Sequence, residues 1–112
     1  MGFERACATT DVEEDKALAV TLGGIDVAVA RDGEQFFAIE DLCSHAAVAL
    51  SEGDVADCRI ECWLHGSEFD LRTGEPSGLP ATSPVATFPV ELRDGDVYVD
   101  VATTLNGVRP AG

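Results

Sequence analysis

The stretch Cys62-Trp63-Leu64-His65-Gly66-Ser67-Glu68-Phe69-Asp70 and the earlier Cys43-Ser44-His45, with sixteen residues between the two pairs, decide what this chain is built around. The chain has two histidines, and each stands beside a cysteine in one of these pairs. A C-x-H pair followed by a C-x-x-H pair places two thiolates and two imidazoles at the tips of two neighbouring loops. That is the donor set of a metal centre.

Working outward, Cys58 to Trp63 reads as a strand entering the second pair, and Glu68 to Leu71 as a strand leaving it. Arg72-Thr73-Gly74-Glu75 supplies a tight turn, and the connection from Ala46 to Asp57 has room for one helical turn at Ala46–Leu50. Residues 41–75 therefore form a hairpin-like insertion. On either side the pattern is all-β, with glycine or proline punctuation every ten residues or so. Phe3-Glu4-Arg5-Ala6-Cys7 is a first edge strand. Leu18 to Leu22, Gly23-Gly24 and Ile25 to Ala30 make a hairpin closed by a two-residue glycine turn. Arg31-Asp32-Gly33-Glu34 turns into a strand from Gln35 to Glu40. Val90 to Arg93, Asp94-Gly95 and Asp96 to Val101 carry a type I′ signature, with Val97, Val99 and Val101 on one buried face. Val108 to Gly112 reads as a frayed tail. The expected fold is an antiparallel β-sandwich or barrel base domain with a small inserted metal-binding subdomain, about residues 41–80, in a single domain over 1–112.

The charge excludes some partners. Twenty-one acidic residues against 7 basic ones give a net −14. Such a surface repels phosphate backbones and anionic lipid, so neither nucleic acid nor a membrane is an expected partner. It would be steered instead toward a protein with a basic face, at a salt-sensitive rate. The first twenty residues hold five acids and no apolar run, and no window approaches the ~20 apolar residues of a membrane span. A cytoplasmic location is expected, where cysteines are more often ligands than disulfides.

Two cysteines and two histidines suit a [2Fe–2S] centre with the thiolates on one iron and the imidazoles on the other, and they also suit a tetrahedral zinc. Asp41-Leu42-Cys43-Ser44-His45 and Ile60-Glu61-Cys62-Trp63-Leu64-His65-Gly66-Ser67-Glu68-Phe69-Asp70-Leu71-Arg72-Thr73-Gly74 resemble the Rieske iron–sulfur family, specifically its small ferredoxins. Leu79-Pro80-Ala81, Phe88-Pro89-Val90 and Asp94-Gly95-Asp96-Val97-Tyr98-Val99 are similar to that family's third loop and closing hairpin, so the likeness covers essentially the whole chain. Zinc sites of this composition usually pair cysteines with cysteines and histidines with histidines, whereas each loop here carries one of each. The resemblance therefore implies one [2Fe–2S] cluster, with Cys43 and Cys62 on one iron and His45 and His65 on the other, the imidazole edges serving as the electron port.

The resemblance also implies a low reduction potential. High-potential members carry a further cysteine in each ligand loop, and these form a disulfide; the corresponding positions here are Ala47 and Leu64. Those members also place a serine and a tyrosine after the second pair, whose hydroxyls bond cluster sulfurs. Ser67 keeps the first and Phe69 loses the second. Fewer such bonds place the expected potential toward the ~−150 mV end of the Rieske range. Family members of this kind take electrons from a flavin NAD(P)H reductase and pass them to a terminal Rieske non-haem iron oxygenase, so the chain is expected to be a carrier and not an enzyme, and a monomer. With no histidine after His65, it lacks the mononuclear iron site of such an oxygenase. The alternatives are a Rieske ferredoxin serving iron–sulfur cluster assembly or another housekeeping reductase, and a protein like the nitrite-reductase small subunit.

Among the other residues, Cys7 and Cys58 read as small structural side chains. Trp63 reads either as a docking or shielding group or as a core-edge aromatic. Leu79-Pro80-Ala81 reads as a loop covering the cluster, Arg72 as a surface ion-pair partner, and Asp41 and Asp70 as turn caps and not catalysts.

Overall fold

The computed structural model describes residues 2–43, 48–64, 66–78 and 83–110. Among the described residues there are ten strands: β1 (Glu4–Ala8), β2 (Ala17–Leu22), β3 (Ile25–Asp32), β4 (Gln35–Glu40), β5 (Val55–Ala56), β6 (Arg59–Glu61), β7 (Glu68–Asp70), β8 (Thr87–Phe88), β9 (Val90–Arg93) and β10 (Asp96–Val99). They form three antiparallel sheets, ordered β1-β10-β9, β2-β3-β4-β8 and β5-β6-β7. The fold is all-β, as the strand pattern implied. Among the described residues no helix is long and apolar enough to cross a membrane.

The two hairpins with glycine signatures form as expected. Leu22 faces Ile25 across Gly23-Gly24, at φ 58° and 80°, and Arg93 faces Asp96 across Asp94-Gly95, at φ 48° and 81°. These positive angles match the right-handed twist of the paired strands. The strand before the next turn runs further than the sequence suggested. Arg31 pairs with Phe36 and Asp32 with Gln35, leaving only Gly33-Glu34 as the turn. The Arg31 guanidinium lies over the Phe36 ring at 5.4 Å, which holds the extra rung. At the other end of the chain, β10 stops at Val99, and Val101 packs on the core from outside the strand.

Two buried clusters divide the interior. One lies between the β1-β10-β9 sheet and one face of the central sheet, around Val27, Val29, Phe88, Val97 and Val99. The other joins the opposite face of the central sheet to the small β5-β6-β7 sheet, through Ala28, Ile39, Leu50, Val55, Ile60, Phe69 and Leu71. Alternate β3 residues serve both, because successive strand side chains point to opposite faces. A strand buried on both sides explains the nearly continuous apolar run from Val27 to Ala30.

The start of the expected frayed tail departs from that reading at Val108, while residues 111 and 112 lie outside the described ones. Val108 is partly buried against the first cluster, and the segment before it is clamped. Asn106 donates from Nδ2 to the carbonyls of Thr73 at 2.9 Å and Val85 at 2.7 Å, while its Oδ1 accepts from the amides of Thr87 and Val108. One amide side chain thus satisfies backbone groups from three separate segments.

Candidate metal centre

Both cysteine-bearing loops grow out of the second core cluster. Strand β4 delivers the chain to Asp41, whose N–H donates to Asp26 O at 2.8 Å. The Asp41 carboxylate accepts the Ser51 N–H at 2.6 Å and the Ser51 hydroxyl at 2.7 Å. This clamp starts a 3₁₀ turn at Leu50–Glu52, so the helical turn falls later than the expected Ala46–Leu50, and Ala46 and Ala47 lie outside the described residues. Gly53 then lies directly on β6: a Cβ there would sit 1.7 Å from Glu61 O, so only glycine allows the two backbones to meet.

The second loop leaves β6 and returns through β7. The preceding hairpin, β5 to β6, turns at Asp57-Cys58, both in the left-handed region at φ 52° and 59°. Cys58 is therefore a turn residue and not the start of a strand. Its N–H donates to Asp32 Oδ2 at 2.7 Å, which ties the small sheet to the end of β3, and its carbonyl accepts from the N–H of Leu71, just after β7.

The two loops are closed by the same bond. The Cys43 N–H donates to Val48 O at 3.0 Å, and the Cys62 N–H donates to Ser67 O at 2.7 Å, each spanning five residues. Gly66 N–H adds a bond to Cys62 O at 2.8 Å. Cys43 and Cys62 are 2% and 0% exposed and belong to one buried cluster with Ile60 and Phe69. None of the four cysteines is in a disulfide. Two buried thiols on matching closed loops fit a soft-metal group that takes thiolate ligands. His45 and His65, and the loop Leu79-Pro80-Ala81, lie outside the described residues.

The chemistry of this donor set agrees with the comparison to known proteins. The family described as the Rieske [2Fe-2S] domain matches residues 3–89. The chain belongs to the Rieske [2Fe-2S] family. It is similar to the ferredoxin subunit of 3-phenylpropionate/cinnamic acid dioxygenase from Shigella flexneri, 40% identical over 97 residues that cover 86% of this chain and 91% of that protein. A solved ferredoxin of carbazole 1,9a-dioxygenase from Nocardioides aromaticivorans is 34% identical with a TM-score of 0.83, over 88% of this chain and 97% of that one. A chain in a complex of reduced oxygenase and oxidized ferredoxin in carbazole 1,9a-dioxygenase is 40% identical with a TM-score of 0.79, covering 87% and 91%. This Rieske chain is accordingly an electron carrier with one [2Fe–2S] cluster, and not itself a catalyst.

The flanking residues take the roles their chemistry suggests. Asp70 Oδ1 accepts the N–H groups of Arg72 and Thr73, and Arg72 Nε lies 3.5 Å from it. Burial alone would lift the Asp70 carboxyl, but those donors and the Arg72 charge hold it below its ordinary value. Burial pushes the Cys7 and Cys58 thiols up, with nearby Asp11 and Asp32 adding to it, so neither is poised as a thiolate. Trp63 is 50% and Leu64 41% exposed, so Trp63 is not a core aromatic. Sequence reading missed Ser51, Gly53 and Asn106. The only local signal was the Leu50-Ser51-Glu52-Gly53 turn chemistry, which says nothing about its distant partners.

Proposed function

We propose that this Rieske ferredoxin takes single electrons from a flavin-dependent NAD(P)H reductase and passes them to a terminal Rieske non-haem iron oxygenase. The observation that carries the reading is the pair of buried thiols, Cys43 and Cys62, on matching loops of one core cluster, with Trp63 and Leu64 exposed immediately beyond the second. The ligand set we propose is Cys43 and Cys62 on one iron and His45 and His65 on the other. Bound there, the cluster supplies a one-electron couple that neutral imidazole makes easier to reduce than all-thiolate ligation.

The chain's own residues hold that site in place. The cysteine N–H bonds to Val48 O and Ser67 O fix both loop shapes before the metal arrives, so little has to move when the electron does. Leu50, Val55, Ile60 and Phe69 keep water from the thiolate side. Phe69 is fully buried opposite Ile60 and brings no hydroxyl to the sulfurs, which supports a low potential. We take the chain as one domain with its cluster-binding subdomain at about 41–80, monomeric and cytoplasmic. The relatives described above are dioxygenase ferredoxins, which favours the oxygenase route over cluster assembly, another housekeeping reductase or a nitrite-reductase role.

The test is to reduce the purified protein through a flavin NADH reductase and follow electron arrival at an oxygenase Rieske centre by its visible bleaching. Rapid, catalytic transfer is expected. A cluster that reduces normally but passes no electron on would overturn the reading.

A further inference from the structure

Asn106 is the chain's single asparagine, and Gly107 follows it. Its Nδ2 donates to Thr73 O, in the turn after β7, and to Val85 O, shortly before β8. Its Oδ1 accepts from the N–H of Thr87, in β8, and from that of Val108. The backbones meet closely here. A Cβ on Gly74 would sit 2.1 Å from Val85 O and 2.7 Å from Asn106 Nδ2. Val85 N–H donates to Gly74 O at 2.9 Å, and Leu105 N–H to Thr87 O at 2.8 Å. Asn106 thus fastens the end of the small β5-β6-β7 sheet to the central sheet. The bond from Val108 N–H to Oδ1 also curls the side chain over the Gly107 peptide. Gly107 is exposed, lies at φ 73° and has no Cβ to shield its nitrogen. Among the described residues its N–H donates to no other backbone group.

We propose that Asn106 is a site of spontaneous covalent modification, at which the Gly107 nitrogen attacks the side-chain amide and the product unties the small sheet from the central one. A bond forms between Gly107 N and Asn106 Cγ, and the Cγ–Nδ2 bond breaks. Nδ2 leaves as ammonia with the proton lost by Gly107. Water then opens the cyclic imide at either carbonyl. Opening at Cγ leaves aspartate; opening at the backbone carbonyl leaves isoaspartate, with the main chain rerouted through Cγ. The clamp delays this step and is destroyed by it. With Nδ2 and Oδ1 both held, the amide cannot turn its carbon toward Gly107 until the segment opens, so the rate follows local opening. Afterwards an oxygen stands where Nδ2 donated. It faces the carbonyl oxygens of Thr73 and Val85 and donates to neither, so the buried Val85 loses that partner. A segment modified while open does not close again. Opening is thereby recorded as a permanent loss of the tie, and the cluster is left in a subdomain held less firmly. None of this depends on which proteins exchange electrons with the chain.

The experiment ages the cluster-loaded protein in warm, mildly alkaline buffer beside its free tryptic peptide, which begins at Asp94. Samples are digested, and the mass gain of amide-to-acid exchange and the isoaspartate content are located by fragmentation. Asp94-Gly95 shares the peptide, but isomerisation there leaves the mass unchanged. Modification of Asn106 is expected in the folded protein at about a tenth to a hundredth of the peptide's rate, and faster in urea below the unfolding transition. Anion exchange separates the modified fraction by its added charge. That fraction is expected to melt at least about 4 °C below fresh protein, and to surrender iron to a chelator at least about threefold faster. Asn106→Asp supplies one product directly and reproduces both losses. Thr103→Asp adds the same charge at an exposed neighbour and is expected to stay with wild type. An Asn106 still wholly amide after about a hundred peptide half-lives would overturn the site. A modified fraction that melts and holds iron as fresh protein does would overturn its consequence.

Discussion

Asp41 and Ser51 are joined twice: the Asp41 carboxylate accepts the Ser51 backbone N–H at 2.6 Å and its hydroxyl at 2.7 Å. The two residues stand on either side of the first cysteine loop, so this partly buried pair fastens both of its ends. Ser51→Ala removes one bond to a charged acceptor, which is worth about 1.5–3 kcal/mol. Asp41→Ala removes both and should cost more. Thermal unfolding of the loaded protein, followed through cluster absorbance, checks this; a Ser51→Ala melt superimposable on wild type would mean the clamp carries no stability.

Cys58 occupies a position glycine would suit better. Its φ of 59° lies in the left-handed region, and it takes no part in the proposed ligand set. Cys58→Gly relieves that strain at some cost in unfolded-chain entropy, for a net gain of about 0.5–1 kcal/mol. Urea unfolding and iron content should show a more stable protein with a full cluster. Loss of iron would give Cys58 a role in the centre.

The Asp70 carboxyl contributes to pH dependence with a definite sign. Its folded value is held below the unfolded one, so its contribution is complete above the ordinary carboxylate value of about 3.9 and disappears as pH falls through the lower folded value. Asp70→Asn should therefore unfold at a lower temperature than wild type at neutral pH. The gap should close below about pH 4. Paired melts across that range decide it; a gap that widens in acid has the wrong sign.

Phe69 offers a handle on the potential. Phe69→Tyr brings a hydroxyl toward the sulfur side of the site while keeping the ring that fills the core opposite Ile60. One added hydrogen bond of about 0.5–1.5 kcal/mol favouring the reduced form raises a one-electron potential by about 20–65 mV. A redox titration with visible detection measures it, and an unchanged or lower value would show that the hydroxyl does not reach the cluster sulfurs.

Much of this was legible in order along the chain. Gly23-Gly24 and Asp94-Gly95 announced their hairpins because only a few residues accept positive φ cheaply, and the alternation of Val97 and Val99 announced a half-buried strand. The two-residue strands β5 and β8 were not legible, since a pair of residues has no period to detect. Nor was the helical turn legible at Leu50–Glu52, because the side chain that caps it, Asp41, is ten residues away.

The family was written in the residues alone: two Cys–His pairs at a fixed spacing, flanked by Gly66-Ser67 and Phe69, point to it because residue types and loop glycines are local properties. Tertiary structure alone decided what surrounds that chemistry. It put Asp41 against Ser51, Asn106 across three segments, Glu61 opposite Glu68, and Trp63 in solvent and not in the core. Those relationships depend on register and on which backbone meets which, and a strand's own residues do not record the identity of its neighbour.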